Sequence, residues 1–210
     1  MIFYPPPVPK VIAFFDGQNL YRSVKELFNY IYPNYDPPKL AQHICNEKGW
    51  QLVNTRFYTG VPIQTVDPFW HNFWTAKFTN MGRQKVHLFR RELRYNREDL
   101  VAFATGQTQD IPKGREKGID VRIALDVLRL VHQRACDVAL IFSQDQDFSE
   151  VADEIRIIAK EQDRWIKIAS AFPWIPHLNI RGINNTEWIK IDKATYDQCI
   201  DPQDYRLIIS

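Results

Sequence analysis

The feature that most constrains this chain is a pair of short apolar runs that each stop on an acid. VIAFFDGQNLY starts at Val11 and turns polar at Asp16, and DVALIFSQDQDFSE starts at Asp137 and turns polar before Asp145 and Asp147. An apolar run of strand length bounded by turn residues reads as a strand buried on both faces, the behaviour of a central strand in a parallel sheet covered by helices. In sheets of that kind, sites lie at the carboxyl ends of the strands. Asp16 and Asp145 are both expected there.

The second run belongs to a longer unit, KGIDVRIALDVLRLVHQRACDVALIFSQDQDFSE, from Lys117 to Glu150. It reads as a helix with Asp120 in its first turn, then a strand from Asp137 to Phe142, then an acidic turn. A crossover helix runs antiparallel to the strand it feeds, so its start lies beside that strand's end. Asp16, Asp120 and Asp145, far apart in sequence, are thereby expected at one edge of a sheet.

The remaining elements follow the same alternation. After a Pro-rich, extended lead-in over residues 1–10, a helix with Leu20, Val24, Leu27 and Phe28 on one face runs to about Tyr30. A second helix starts after Pro37-Pro38 and stops at Gly49. Trp50–Tyr58 reads as a strand, Pro68–Met81 as a helix and Val86–Tyr95 as a third strand. Residues 96–116 form a long insertion, a length usually tied to function or mobility. Within it, Leu100–Ala104 is predicted to fold back as a short antiparallel ribbon, with Asn96–Asp99 as the turn. Beyond Glu150, spacing predicts a helix to about Gln162, a strand over Trp165–Ala169 and an edge strand over Glu187–Ile191. Residues 193–210 are left as a tail. The fold class is therefore α/β, a doubly wound, mostly parallel sheet of five or six strands with helices on both faces, formed by a single domain over residues 11–192.

Composition excludes several other classes. The 210 residues are 45% apolar and 25% charged, as in ordinary globular proteins and unlike disordered or fibrous chains. No apolar run approaches the roughly 18 to 20 residues that span a bilayer. The opening MIFYPPPVPK lacks the cationic and apolar segments of a signal peptide. Cys45, Cys136 and Cys199 form neither a CxxC pair nor a metal-ligand cluster, which fits small core residues in a reducing, cytoplasmic setting. The net charge of +2 is unevenly spread: Arg83–Lys117 holds nine Lys/Arg against five Asp/Glu, a local +4 that leaves −2 elsewhere. Attraction for a polyanion is concentrated in that segment.

Hard divalent cations prefer oxygen ligands, and Mg²⁺ keeps several waters while taking one or two direct carboxylates. Acids crowded together repel one another and take up protons unless a cation relieves them. Asp16, Asp120 and Asp145 are thus read as metal ligands, with Asp147 assisting through water and Asn19 positioning water or phosphate. Taken singly, each has an ordinary structural role as an N-cap, a turn residue or a dipole partner. Asp126 lies six residues past Asp120, roughly 9 Å along the helix and well around it, so it is read as a supporting or salt-bridged residue. Arg90, Arg91, Arg94, Arg97, Lys113, Arg115 and Lys117, interleaved with Phe89, Tyr95 and Phe103, combine phosphate contacts with stacking surfaces, as single-stranded nucleic acid requires. Lys117 is near enough to Asp120 to steady developing charge. For any one of these cations alone, solubility of an edge strand is the simpler explanation.

Three blocks, VIAFFDGQNLY at 11–21, KGIDVRIALDVL at 117–128 and DVALIFSQDQDFSEV at 137–151, resemble the NYN domain family, the PIN-related nuclease group that includes LabA-like proteins. With the intervening elements the resemblance covers about residues 10–192. It implies a PIN-like α/β/α fold and an Mg²⁺- or Mn²⁺-dependent ribonuclease acting on RNA. Its acidic site falls on Asp16, Asp120 and Asp145, with Asp147 and Asn19 matching nearby motif positions. One departure is Gln144, which stands where the family often has Gly. An RNA-binding or regulatory module with a vestigial site is the second reading. A phosphohydrolase with an aspartyl nucleophile ranks last, because the second acid it needs is replaced by Gln18. No membrane association is expected, and the assembly state is left open, a homo-oligomer included.

Overall fold

A computed structural model describes residues 4–207; the first three residues of the lead-in and the last three of the tail lie outside them. Six strands form one parallel sheet: β1 Lys10–Asp16, β2 Gln51–Val61, β3 His87–Glu92, β4 Val138–Phe142, β5 Lys167–Pro173 and β6 Glu187–Ile191. Their order is β3-β2-β1-β4-β5-β6, so strand order reverses between β1 and β4. The helices are α1 Gly17–Phe28, α2 Pro37–Lys48, α3 Pro68–Arg83, α4 Arg97–Ala104, α5 Ile119–His132, α6 Ser149–Glu161 and α7 Lys193–Gln198. The doubly wound, all-parallel architecture is the one the alternation of elements predicts.

β1 explains why an unbroken apolar run was needed. Successive side chains point to opposite faces, and both faces of this strand are covered. Val11, Ala13 and Phe15 join a core built with Leu20, Leu40, Ile44 and Phe73 from α1, α2 and α3. Ile12 and Phe14 join the other, with Ile123 and Val127 from α5 and Ile155 from α6. Phe15 also stacks on Phe142 of the neighbouring β4, with ring centroids 3.8 Å apart. The registers Phe15↔Phe142 and Asp16↔Tyr58 bring the ends of β1, β4 and β2 to one edge. Cys45, Cys136 and Cys199 are all buried and unpaired.

The insertion differs from expectation. Arg97–Ala104 is a helix, not a ribbon, capped by the Asn96 side chain accepting from Glu98 N–H, with Glu98 and Asp99 in its first turn. Acids there favour the helix dipole, and no residue of α4 is fully buried, so local capping outweighs core packing in this helix. An antiparallel bridge does form, but at the base of the excursion: Arg94 and Arg115 exchange both backbone hydrogen bonds at 2.9 and 2.8 Å. β2 also runs to Val61, three residues past the expected end at Tyr58, and β3 stops at Glu92. No helix among the described residues is long and apolar enough to cross a membrane.

Candidate active site

Asp16 ends β1 and caps α1. Its Oδ1 accepts from Asn19 N–H at 3.1 Å, and its Oδ2 accepts from the Ser143 hydroxyl at 3.3 Å. Ser143 in turn accepts from Asp145 N–H at 3.1 Å, so one hydroxyl ties the end of β1 to the turn after β4. Asp145 caps the following 3-10 turn by accepting from Asp147 N–H at 3.1 Å. The cleft between these two strand ends, about 310 Å³, is lined by Asp16, Asn19, Glu116, Lys117, Asp120 and Asp145, with Gln18 and Arg22 on its α1 side. Strand order reverses at this point, where a doubly wound sheet opens a crevice at its strand ends.

Asp16, Asp120 and Asp145 therefore share one cleft, as their positions in the sequence predict. Asp147 does not line it; the residue is exposed, and its N–H is used within the turn. Asn19 lines the cleft, but its side-chain oxygen accepts from Gln144 N–H at 3.0 Å, so it staples the acidic turn to α1. Gln144 helps that turn hold its shape: its Oε1 accepts from Ser23 at 2.8 Å and its Nε2 donates to Arg181 O at 2.9 Å. Asp126 faces away, a salt-bridged residue.

Glu116 is the residue that sequence reasoning missed. It sits where the insertion rejoins the sheet edge, and its Oε1 accepts from Gly60 N–H and from the Thr59 hydroxyl. A Cβ at Gly60 would fall 2.6 Å from Glu116 Cγ, so only glycine lets the carboxylate lie against the end of β2. The available signal was a Glu beside Lys117 with glycines on both sides, Gly114 and Gly118, a poor place for a solvated acid. Periodicity does not reveal it, because Glu116 belongs to no helix or strand.

Electrostatics set these acids apart. Burial lifts the Asp16 carboxyl from its ordinary 3.8 to about 7, with Glu116 and Asp145 pushing the same way and the Asn19 N–H and Ser143 hydroxyl opposing. Burial also raises Glu116, aided by Asp120 and opposed by Gly60 N–H, Thr59 and Arg22. Among the described residues, none of the four cleft acids has a Lys, Arg or His partner within ion-pair distance. Nor, among the described residues, are any three His, Cys, Asp or Glu side chains grouped closely enough to share one ion directly. Carboxylates lining a common cleft, with Arg22 and Lys117 beside them but not ion-paired to them, fit a hydrated divalent cation, which needs only one or two direct protein ligands.

A second cleft, about 730 Å³, opens beside the first and shares Glu116 and Lys117 with it. Arg94, Lys113, Arg115 and Lys117 line it with Tyr95, and Asp99 and Asp110 join Glu116 as its acids, so cations outnumber carboxylates by one. Arg90, Arg91 and Arg97 do not line it. Neighbouring residues of β3 point to opposite faces, so Arg90 lies over Phe78 of α3 while Arg91 lies over Phe89 and donates to Lys117 O at 3.2 Å.

The NYN domain model matches residues 10–161 of the chain. A comparison with curated proteins finds no match. Among solved structures, the chain is similar to a protein of unknown function from Vibrio parahaemolyticus, with 17% identity and a TM-score of 0.53, covering 90% of this chain and 97% of that one. That likeness concerns the fold.

Proposed function

The chain belongs to the NYN domain family of PIN-like nucleases, and from that premise we propose that it is a metal-dependent ribonuclease that hydrolyses phosphodiester bonds of RNA. The observation that carries the reading is a cleft lined by four carboxylates, none of them ion-paired among the described residues, adjoining a wider cleft that holds Arg94, Lys113 and Arg115, with Glu116 and Lys117 at the seam. Asp16, Asp120 and Asp145 would hold Mg²⁺ or Mn²⁺, in part through water. A metal so bound supplies Lewis acidity, lowering the pKa of a water and neutralising charge on the phosphoryl oxygens.

The chain's own groups do the rest. Arg94, Lys113 and Arg115 hold the backbone of the strand in the wider cleft and lead it toward Asp120. Lys117, exposed at the seam, steadies negative charge that grows on the phosphate. Glu116, fixed by Gly60 and Thr59, is placed to accept a proton from the attacking water. Ser143 and Asn19 keep the Asp16 and Asp145 carboxyls in register.

The test is cleavage of labelled single-stranded RNA with Mn²⁺. Asp16→Asn and Asp145→Asn are expected to lose activity by about a hundredfold or more, since even residues that only support metal ligands cost 10- to 100-fold. Cleavage that survives both substitutions rules this mechanism out. Binding without cleavage under every metal tried would favour the RNA-binding reading instead.

A further inference from the structure

A third cleft, about 170 Å³, lies between the start of α1 and the start of α3 and differs in chemistry from the other two. Its walls are mainly Tyr21, Pro33, Pro62, Trp70, Trp74 and Leu93, and no charged residue lines it. We propose that this cleft takes one unpaired nucleobase of the strand being cut, a base next to the phosphate at the acid cleft. The inference rests on the hydrolytic reading above and adds the place where the strand is gripped by a base.

The apolar cleft is continuous with the acid one. Gln18 lines both the acid cleft and the apolar one, and Gly17, the residue after Asp16, forms part of the apolar wall. On the other side the partition is a single backbone: Gly60 faces the apolar cleft while its N–H is given to Glu116. A strand crossing the acids has this cleft as its next surface. The lining also matches a base in chemistry. The helix starts beside it give N–H groups to Asp16 and Asp67, and no charged side chain lines it, so it offers little to a phosphate, whereas aromatic walls with one amide suit a base, which stacks through its face and hydrogen-bonds through its edge. Gln18 Oε1 already accepts from Arg22 at 2.7 Å, which leaves its amide N–H groups to donate.

The walls are also set in advance. Trp70 meets Phe69 and Phe73 edge-on, with centroids 5.3 and 5.1 Å apart. The Tyr21 hydroxyl donates to Ile31 O at 2.7 Å, which fixes that ring. The space admits one ring system and excludes a base pair. Single strands and loops, which can offer an unpaired base, are therefore the expected substrates.

The experiment measures binding of the full chain to a labelled single-stranded RNA octamer in EDTA, where nothing is cut, with an abasic residue walked along the strand. One position is expected to weaken binding about tenfold when its base is removed. Trp70→Ala is expected to weaken the intact strand similarly and to erase the penalty at that position, while Trp70→Phe keeps most of both. Should Trp70→Ala misfold, the abasic walk on the natural chain still decides. If the chain binds and cuts RNA but no abasic position matters, or the penalty persists in a folded Trp70→Ala, the base-binding cleft is wrong and the hydrolytic reading stands. If the chain neither binds nor cuts RNA, the hydrolytic reading fails and the cleft assignment falls with it.

Discussion

Asp120 and Asp126 belong to the same helix, α5, yet their surroundings differ completely. Asp126 is buried, 1% exposed, and is surrounded by donors: the Tyr58 hydroxyl at 2.9 Å, Arg129 at 2.9 Å, Arg122 at 3.0 Å and Arg56 at 3.4 Å. Asp120 faces the cleft with Asp16, Glu116 and Asp145, where Arg22 and Lys117 also line the walls but, among the described residues, no cation comes within ion-pair distance of it. One carboxylate has its charge neutralised by the protein itself and joins α5 to β2. Of the other four, Asp16 and Glu116 are held by backbone and hydroxyl donors, and none of the four is ion-paired among the described residues. The difference separates an acid tied into the fold by arginines from acids left open to the cleft.

The comparison breaks first on stability. Asp126→Ala leaves three guanidiniums and a tyrosine hydroxyl without their common acceptor and is expected to destabilise by about 3–5 kcal/mol, read as a drop in the denaturation midpoint. A change under about 1 kcal/mol would show that solvent, not Asp126, satisfies those arginines.

The cleft is expected to behave in the opposite sense. Asp16 binds its proton more tightly folded than unfolded, because its carboxyl is raised from 3.8 to about 7. Without metal, stability is therefore fully present below about pH 4 and falls as pH rises to about 7, by up to about 4 kcal/mol. Asp16→Asn is expected to remove most of that slope and to stabilise the metal-free protein at pH 8. An unchanged slope in Asp16→Asn would place the titration elsewhere.

A ligand that binds only the folded state adds stability, about 2.7 kcal/mol at a hundred times its Kd. Mn²⁺ at pH 8 is expected to raise the melting temperature of the natural chain and to do so less in Asp120→Asn. Equal shifts in both would remove Asp120 from the site. The smallest expected effect concerns the wider cleft. Lys113→Ala should lower the salt dependence of RNA affinity by about one unit of the log–log slope, whereas Arg90→Ala, on the α3 side of β3, should leave it unchanged.

The parts of this molecule that declare themselves in sequence are those where one physical requirement dominates. Val11–Phe15 and Val138–Phe142 must be apolar on both sides, and their abrupt ends on Asp16 and before Asp145 mark the sheet edge. α4 is hidden because Leu100–Ala104 has the apolar look of a strand while its helix is set by Asn96, Glu98 and Asp99, local capping chemistry outside the apolar stretch. Glu116 is hidden because its role depends on Gly60, more than fifty residues earlier, at a strand end the sequence places too soon. Asp126 is half legible: helix geometry turns it away from Asp120, but only the fold reveals that Arg56 from β2 meets it there.

The pairing of Arg94 with Arg115 gives the insertion a narrow neck. Whatever happens between those two residues, the chain leaves and re-enters the sheet edge at fixed points, and Glu116 and Lys117 come next with their positions already decided. The excursion is thus a head on a narrow shank, and the first acid of the cleft, Glu116, follows directly where that shank ends.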